Sequence, residues 1–330
     1  MRLFLFFAFG ISISDIRSTW ECIGLRKKMK KLYHFCISAG DEVMFRSQED
    51  FTRAFNCYAY AISQTDSNAL ADSFMSNHFH ACAESADIRD LIFHYRASYS
   101  RYFNRKYIRR GALGERMPYI IDVVGVYHRL AALSYTLRNA VHHGVSPTPF
   151  AYQHNSSNAI FRKELGKDNL IDLLPRHKYH MFLPDKASVP DHYVMSKSGL
   201  LLRETVIDVQ QVEYIYGSPR NYIYYMNRIT GEEWEREQLK DGGTILTLSD
   251  IETGVSMNEL SAMLRNEHAR ENYGAISDMR LCEIIDNEIL PQYGVLSVYH
   301  LSEKAKCKIA NDLWSRFRVS KDMLKRCLVM

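Results

Sequence analysis

No two of the seven cysteines (Cys22, Cys36, Cys57, Cys82, Cys282, Cys307, Cys327) stand in C-x-x-C spacing, and their number is odd. That excludes a fully paired disulfide framework and a zinc knuckle, and scattered thiols suit a reducing cytoplasm, the compartment expected here. No apolar run reaches bilayer length: residues 3–11, LFLFFAFGI, form a short stretch behind a single arginine, too short to span, so no membrane partner is expected. This run could serve as a signal-peptide core, with Ser12 and Ser14 as a weak cleavage signal. The basic cluster that follows (Arg26, Lys27, Lys28, Lys30, Lys31) instead favours an over-long start, with residues 1–28 outside the fold and the functional protein beginning at Met29. Neither sign of charge dominates. With 42 Lys and Arg against 38 Asp and Glu, the net charge of +4 permits a nucleic-acid partner without demanding one. Repeats and low-complexity tracts are absent, and 46% hydrophobic with 24% charged residues is the make-up of an ordinary folded protein.

What is present begins with period. KLYHFCIS (31–38) reads as a strand. Ser47 can cap a helix to about Gln64, with Phe51, Phe55, Tyr58 and Ile62 on one stripe. Residues 68–84 read as two strands around a tight Ser-Asn turn, and a second helix from about Ala86 to Asn104 aligns Ile88, Ile92, Tyr95, Tyr99 and Phe103. GALGER is a loop and MPYIIDVV a strand. A third helix runs from about Tyr127 to His142 and is stopped by Gly144 and the prolines at 147 and 149. The order β-α-β-β-α-β-α predicts an α+β architecture, a small antiparallel sheet with packed helices. Beyond residue 160 the pattern weakens: TVIDVQQVEYIY (205–216) looks strand-like and EEWEREQLK (232–240) helical. Near the C-terminus, Ile309, Leu313 and Phe317 follow a Ser302 cap, and Ser320 opens a second short helix carrying Met323, Leu324 and Leu328.

Two local patterns carry chemistry. In His78-Phe79-His80, strand geometry points both imidazoles to one face, where they can reach a single ion. On the third helix, Tyr127, Leu130, Ser134, Leu137 and Val141 form the apolar side. A second stripe holds His128, Ala132, Tyr135, Asn139 and His142, so that Tyr135 and Asn139 lie one turn apart on a polar face. Taken alone, each pattern is also what a satisfied histidine pair or a solvated helix face would look like. No carboxylate set stands out near the histidines, which argues against a metal hydrolase of another kind.

MSNHFHA (75–81) resembles the M-x-N-H-x-H segment of HUH single-tyrosine transposases, most closely the REP-associated tyrosine transposases. YTLRNAVHHGV (135–145) resembles their Y-I-x-x-N-P-V-x-x-G element, and LIFHYRASYSRYFNRKYIRRGAL (91–113) their intervening stretch. The three occur in the right order between about Met29 and Asn158. Ala140 and Ser76 stand where proline is usual in that family. The resemblance implies a ferredoxin-like sheet, with His78 and His80 as metal ligands, Asn139 as a third ligand through its amide oxygen, and Tyr135 as nucleophile. It further implies Mg2+ or Mn2+ as cofactor and single-stranded or hairpin DNA as substrate, cut through a 5′-phosphotyrosine link in DNA transposition or REP-element processing. Arg101, Arg105, Lys106, Arg109 and Arg110 could track the DNA backbone. The segment IANDLWSRFRVSKDMLKRCL (309–328) resembles a helix-turn-helix, with Lys321, Lys325 and Arg326 along its second helix. The division expected is 1–28, an extension; 29–158, the nuclease domain; 159–290, an accessory region of no assigned role; and 291–330, the helix-turn-helix. The chain would act as a monomer or homodimer. The alternative is a catalytically silent DNA-binding protein that recognises its site through the C-terminal helices.

Overall fold

The computed structural model describes residues 29–114, 117–167, 170–228, 236–241 and 276–330. The extension expected at 1–28, and most of the helix expected at 232–240, lie outside the described residues.

Four strands, β1 (Lys31–Ser38), β2 (Ser67–Phe74), β3 (His78–Ser85) and β4 (Tyr119–Asp122), form one sheet in the order β2-β3-β1-β4, every neighbour antiparallel. Pairing of β1 with β3 sets Ser38 opposite His78, Cys36 opposite His80 and His34 opposite Cys82. Directly paired residues share a sheet face, so these six side chains lie on one side. Tyr33, Phe35, Ile37, Phe79, Ala81 and Ala83 lie on the other.

That second face is apolar and is covered by two helices, α1 (Gln48–Gln64) and α2 (Ile88–Lys106). Ser47 caps α1 in a reciprocal box with Asp50, and Asp87 caps α2 by accepting from the amides of Arg89 and Asp90. The stripes read from sequence are the buried ones: Phe51, Phe55, Tyr58 and Ile62 on α1, and Ile88, Ile92, Tyr95, Tyr99 and Phe103 on α2. Tyr58 and Tyr95 meet Phe79 with ring centroids 5.1 Å apart in each case. The loop after α2 returns under the end of β1 at Gly114, whose φ is +79° and whose Cβ, if it had one, would lie 2.7 Å from the Ser38 carbonyl oxygen. Only glycine fits there.

Helix α3 (Val126–His142) packs on the first face, so the sheet is the middle of three layers. Residues 149–228 close over the outside of α3 and along the β2 edge. The Asp208 amide donates to the Ala69 carbonyl, Arg203 pairs with buried Asp72 at 2.9 Å, and Asn56 of α1 bonds the backbone at Gly199 and Leu201. One buried cluster therefore runs from Leu32 to Met226. Residues 205–216 differ from their strand-like reading. They form a short turn, Arg203–Val206, and a helix α4 (Val209–Tyr216), followed by α5 (Pro219–Asn227). Asp208 caps α4, Val212 and Tyr216 fall one turn apart into the core, and Gly217 ends the helix in the left-handed region. The β-branched residues there met a helical contact surface, and tertiary packing overrode their strand preference.

A second cluster gathers residues 276–330. Helix α6 (Asp278–Ile284) continues through a wide turn at 285–289 into α7 (Glu303–Phe317) and α8 (Lys321–Leu328), with Leu281, Ile285, Leu313, Leu324 and Leu328 buried together against Val43. Arg46 fastens this unit to the sheet domain: its guanidinium makes two bonds to Asp286, 2.7 and 3.0 Å, and one to the Cys327 carbonyl, 2.8 Å. Among the described residues no helix is long and apolar enough to cross a membrane.

Candidate active site

The α3 stripe that is polar in sequence points into the fold. Ala132, Tyr135, Asn139 and His142 are all buried, and they face the histidines of β3. Sheet register and helix register thus bring His78, His80, Tyr135 and Asn139 to one place. His80 and Tyr135 meet edge-on at 5.5 Å between ring centroids, and the imidazoles of His78 and His80 lie 5.0 Å apart at 85°.

The hydrogen bonds around His78 bear on what could sit there. Its Nδ1 lies 2.8 Å from Asn77 Oδ1, and Asn77 is oriented by donating its Nδ2 to the Gly40 carbonyl. Its Nε2 lies 3.2 Å from Asn139 Oδ1, while Asn139 Nδ2 donates to the Tyr135 hydroxyl at 3.1 Å. A neutral imidazole carries one N–H and cannot donate to both oxygens. Protonation is opposed: burial first of all holds His78 down to about 4, with Arg326 pushing the same way against the Asn139 bond. Either tautomer leaves one ring nitrogen facing an acceptor oxygen, on Asn77 or on Asn139. The donor set fits a divalent ion held by imidazole and amide oxygen. Among the described residues no three His, Cys, Asp or Glu side chains are grouped to hold a metal by themselves.

Three more histidines complete the cluster. His34 on β1 places Nε2 3.2 Å from His80 Nδ1. His142 stacks on Tyr135 with centroids 5.1 Å apart, and His143 lies 4.7 Å from His78. His80 is driven well below its ordinary value, by burial first and then by the imidazoles around it. Sequence gave His34 no role, because only β1–β3 pairing places it behind His80. His142 was visible on the stripe but carried no assignment.

Ala140 and Ser76 both have structural partners. Ala140 is buried against Met75 and Tyr152, and its carbonyl accepts the amides of Val145 and Ser146 that end the helix. Ser76 donates its hydroxyl to Asp278 Oδ2 at 2.7 Å, and Asp278 in turn holds Arg326 of α8 at 3.3 Å. The C-terminal unit therefore abuts the β2–β3 turn beside the site. The site is closed: Tyr135 is 1% exposed, His80 and Asn139 0%, and His78 3%.

Comparison with known proteins identifies no family. No family model matches the chain, and no curated protein does. One solved structure is similar. It is of a REP-associated tyrosine transposase bound to a REP hairpin, at 10% identity and a TM-score of 0.35, covering 43% of this chain and 84% of that one. A score of 0.35 does not establish a shared fold.

The eight candidate nucleic-acid contacts divide. Arg101, Arg105, Lys106, Arg109 and Arg110 belong to α2 and the loop after it, and α2 lies in the layer across the sheet from Tyr135. Lys106 is held by Ser47, Glu49 and Asp50, Arg109 by Glu42, and Arg105 by Asp185, while Arg101 and Arg110 are exposed. On α8, Lys321 and Lys325 are exposed, whereas Arg326 is half-buried in its pair with Asp278. Of the eight, Arg326 alone acts electrostatically on the histidine cluster, lowering both His78 and His143.

Proposed function

We propose that the chain is a metal-dependent nuclease or transposase acting on single-stranded or hairpin DNA, with Tyr135 as nucleophile and His78, His80 and Asn139 as ligands of Mg2+ or Mn2+. The observation that carries this reading is the convergence of two pairs of side chains, His78 with His80 and Tyr135 with Asn139, distant from each other in sequence, on one face of the sheet. We read the sheet order and the β-α-β-β-α-β connectivity as ferredoxin-like, and the α7–α8 pair as a helix-turn-helix.

In the reaction so read, a divalent cation would offset charge developing on the phosphoryl oxygens. Asn139 Nδ2, bonded to the Tyr135 hydroxyl, holds the phenol in place, and His142 braces the ring by stacking. Tyr135 Oη would attack the backbone phosphorus as the P–O3′ bond breaks. The phenolic proton would pass to the departing oxygen, leaving a 5′-phosphotyrosine ester and a free 3′-hydroxyl. A tyrosine near its ordinary pKa of about 10 is a weak nucleophile at neutral pH, so proton removal must accompany attack.

The closure of the site favours a second reading, a DNA-binding protein that no longer cuts, since a strand reaches a side chain that is 1% exposed only if the layer above it opens. Incubating the full chain with hairpin-bearing single-stranded DNA and Mn2+ separates the two. The nuclease reading expects a covalent protein–DNA band that Tyr135→Phe abolishes while hairpin binding and melting temperature stay close to wild type. A wild-type chain that binds the hairpin and forms no adduct selects the silent reading. An adduct that survives Tyr135→Phe moves the nucleophile to another tyrosine.

A further inference from the structure

A groove of about 330 Å3 opens on the layer opposite the histidine cluster, between α1, the second half of α2 and the loop that carries residues 180–185. Its lining holds four side chains of fixed positive charge (Arg53, Arg101, Arg105 and Lys106) and two carboxylates (Glu49 and Asp185). Sequence order hides this grouping: α1 and α2 belong to the sheet domain, whereas 180–185 falls in the stretch with no assigned role.

Two of the cations are closely paired, and two are not. Arg105 is fixed by Asp185 at 2.7 Å, and Lys106 sits between Glu49 at 3.0 Å and Asp50 at 2.8 Å, the latter buried beneath the groove. Arg53 lies over the rings of Tyr102 and Phe182, 5.4 and 5.6 Å to the centroids, and its nearest carboxylate oxygen, on Glu49, is 3.7 Å away. Arg101 is exposed, and its charge helps Arg105 to lower the pKa of Asp185. Arg101 and Arg105 stand one turn apart, about 6 Å along the helix. The adjoining turn brings in His180, whose Nδ1 donates to the His177 carbonyl, and the exposed Lys178 and Lys186 flank this stretch in sequence. Arg53, held over two aromatic rings with no carboxylate closer than 3.7 Å, and the exposed Arg101 are the guanidinium groups that could receive phosphate oxygens.

We propose that this groove binds a phosphate ester, supplied by the backbone of the hairpin DNA, at a site separate from the Tyr135 centre. The two sites face away from each other across the sheet, so the groove would hold a duplex stem or flanking strand and not the reacting phosphate. The hairpin as occupant rests on the proposed function, whereas binding in the groove does not require the chemistry at Tyr135.

The test measures fluorescence anisotropy of a labelled hairpin oligonucleotide on the full chain across a sodium chloride series, with and without millimolar deoxynucleoside monophosphate. Arg101→Glu with Arg105→Glu should lower affinity about tenfold and reduce the slope of log affinity against log salt by about two units. Tyr135→Phe should leave both unchanged, which separates this inference from the nuclease reading. Should the double variant lose melting temperature, Arg101→Gln with Lys178→Gln repeats the measurement on two exposed side chains, with about half the affinity loss expected. Hairpin affinity and slope equal to wild type in a folded variant would overturn the proposal. Mononucleotide binding that the variant loses while hairpin binding persists would overturn the backbone as the source and leave a site for free phosphate esters.

Discussion

Burial governs the acid–base behaviour of single side chains in this fold. His154 stacks on Phe51 with centroids 3.8 Å apart and is held down to about 3, by burial first and then by nearby Arg203. In the unfolded chain it titrates near its ordinary value of about 6.5. The folded pKa is thus depressed: the ring is neutral in both states above about 6.5, and the associated stability is fully present there. As pH falls below that value the unfolded chain takes up a proton that the fold refuses, and stability declines until the pH reaches about 3. Between pH 7 and pH 5 this one residue should remove about 2 kcal/mol. Urea denaturation at the two pH values measures the loss, and His154→Phe, which keeps an aromatic ring against Phe51, should diminish it by about that amount. Equal losses in variant and wild type would show that His154 stays accessible to protons.

Helix α8 shows how one element can hold two roles on two faces. Its inner face is committed: Leu324, Cys327 and Leu328 are buried, Arg326 pairs with Asp278, and the Cys327 carbonyl accepts from Arg46. Its outer face presents Lys321 and Lys325, four residues apart and exposed. If this helix reads DNA, Lys321→Glu with Lys325→Glu should weaken hairpin or duplex binding and lower the salt slope by about two units, with melting temperature unchanged. Arg326→Glu should behave differently and lower the melting temperature, because it sets a carboxylate against Asp278. A salt series for the double variant that overlays the wild type would remove α8 from any DNA interface and leave it as a docking element.

At the scale of the whole molecule, Arg46 joins the two buried clusters. Its side chain is fully buried, and its three bonds reach Asp286 and the Cys327 carbonyl, 240 and 281 residues away in sequence. Removing one partner of a buried pair leaves the other uncompensated. Arg46→Met keeps most of the volume and should cost about 3 kcal/mol, on the low side of the usual range because Asp286 is partly exposed. Hydrogen exchange should locate the loss in residues 276–330, since the α1–α2 layer keeps its own contacts. An unchanged urea midpoint, or a loss spread evenly over the sheet domain, would mean that this pair does not hold the C-terminal unit in place.

Local pattern alone determined much of the sheet domain. Apolar stripes at helical period placed α1, α2 and α3 within a few residues, because amphipathic period and capping chemistry are written into neighbouring residues. The turn at residues 75–77 likewise put His78 and His80 on one strand face. What sequence left open was direction and partnership. The Tyr135–Asn139 stripe looks the same whether it faces water or a sheet. Only the packing of α3 under residues 149–228 turns it inward, and only β1–β3 register brings His34 behind His80. The strand-like residues 205–216 became helical because Asp208 and Gly217 bound a segment whose contacts lie on α3 and β2. The basic residues of α2 acquired their roles from partners such as Glu42, Asp50 and Asp185, distant in the chain. Period and capping act over a few residues and survive in a linear reading, whereas burial, ion pairing and the meeting of two faces exist only after the chain has closed on itself.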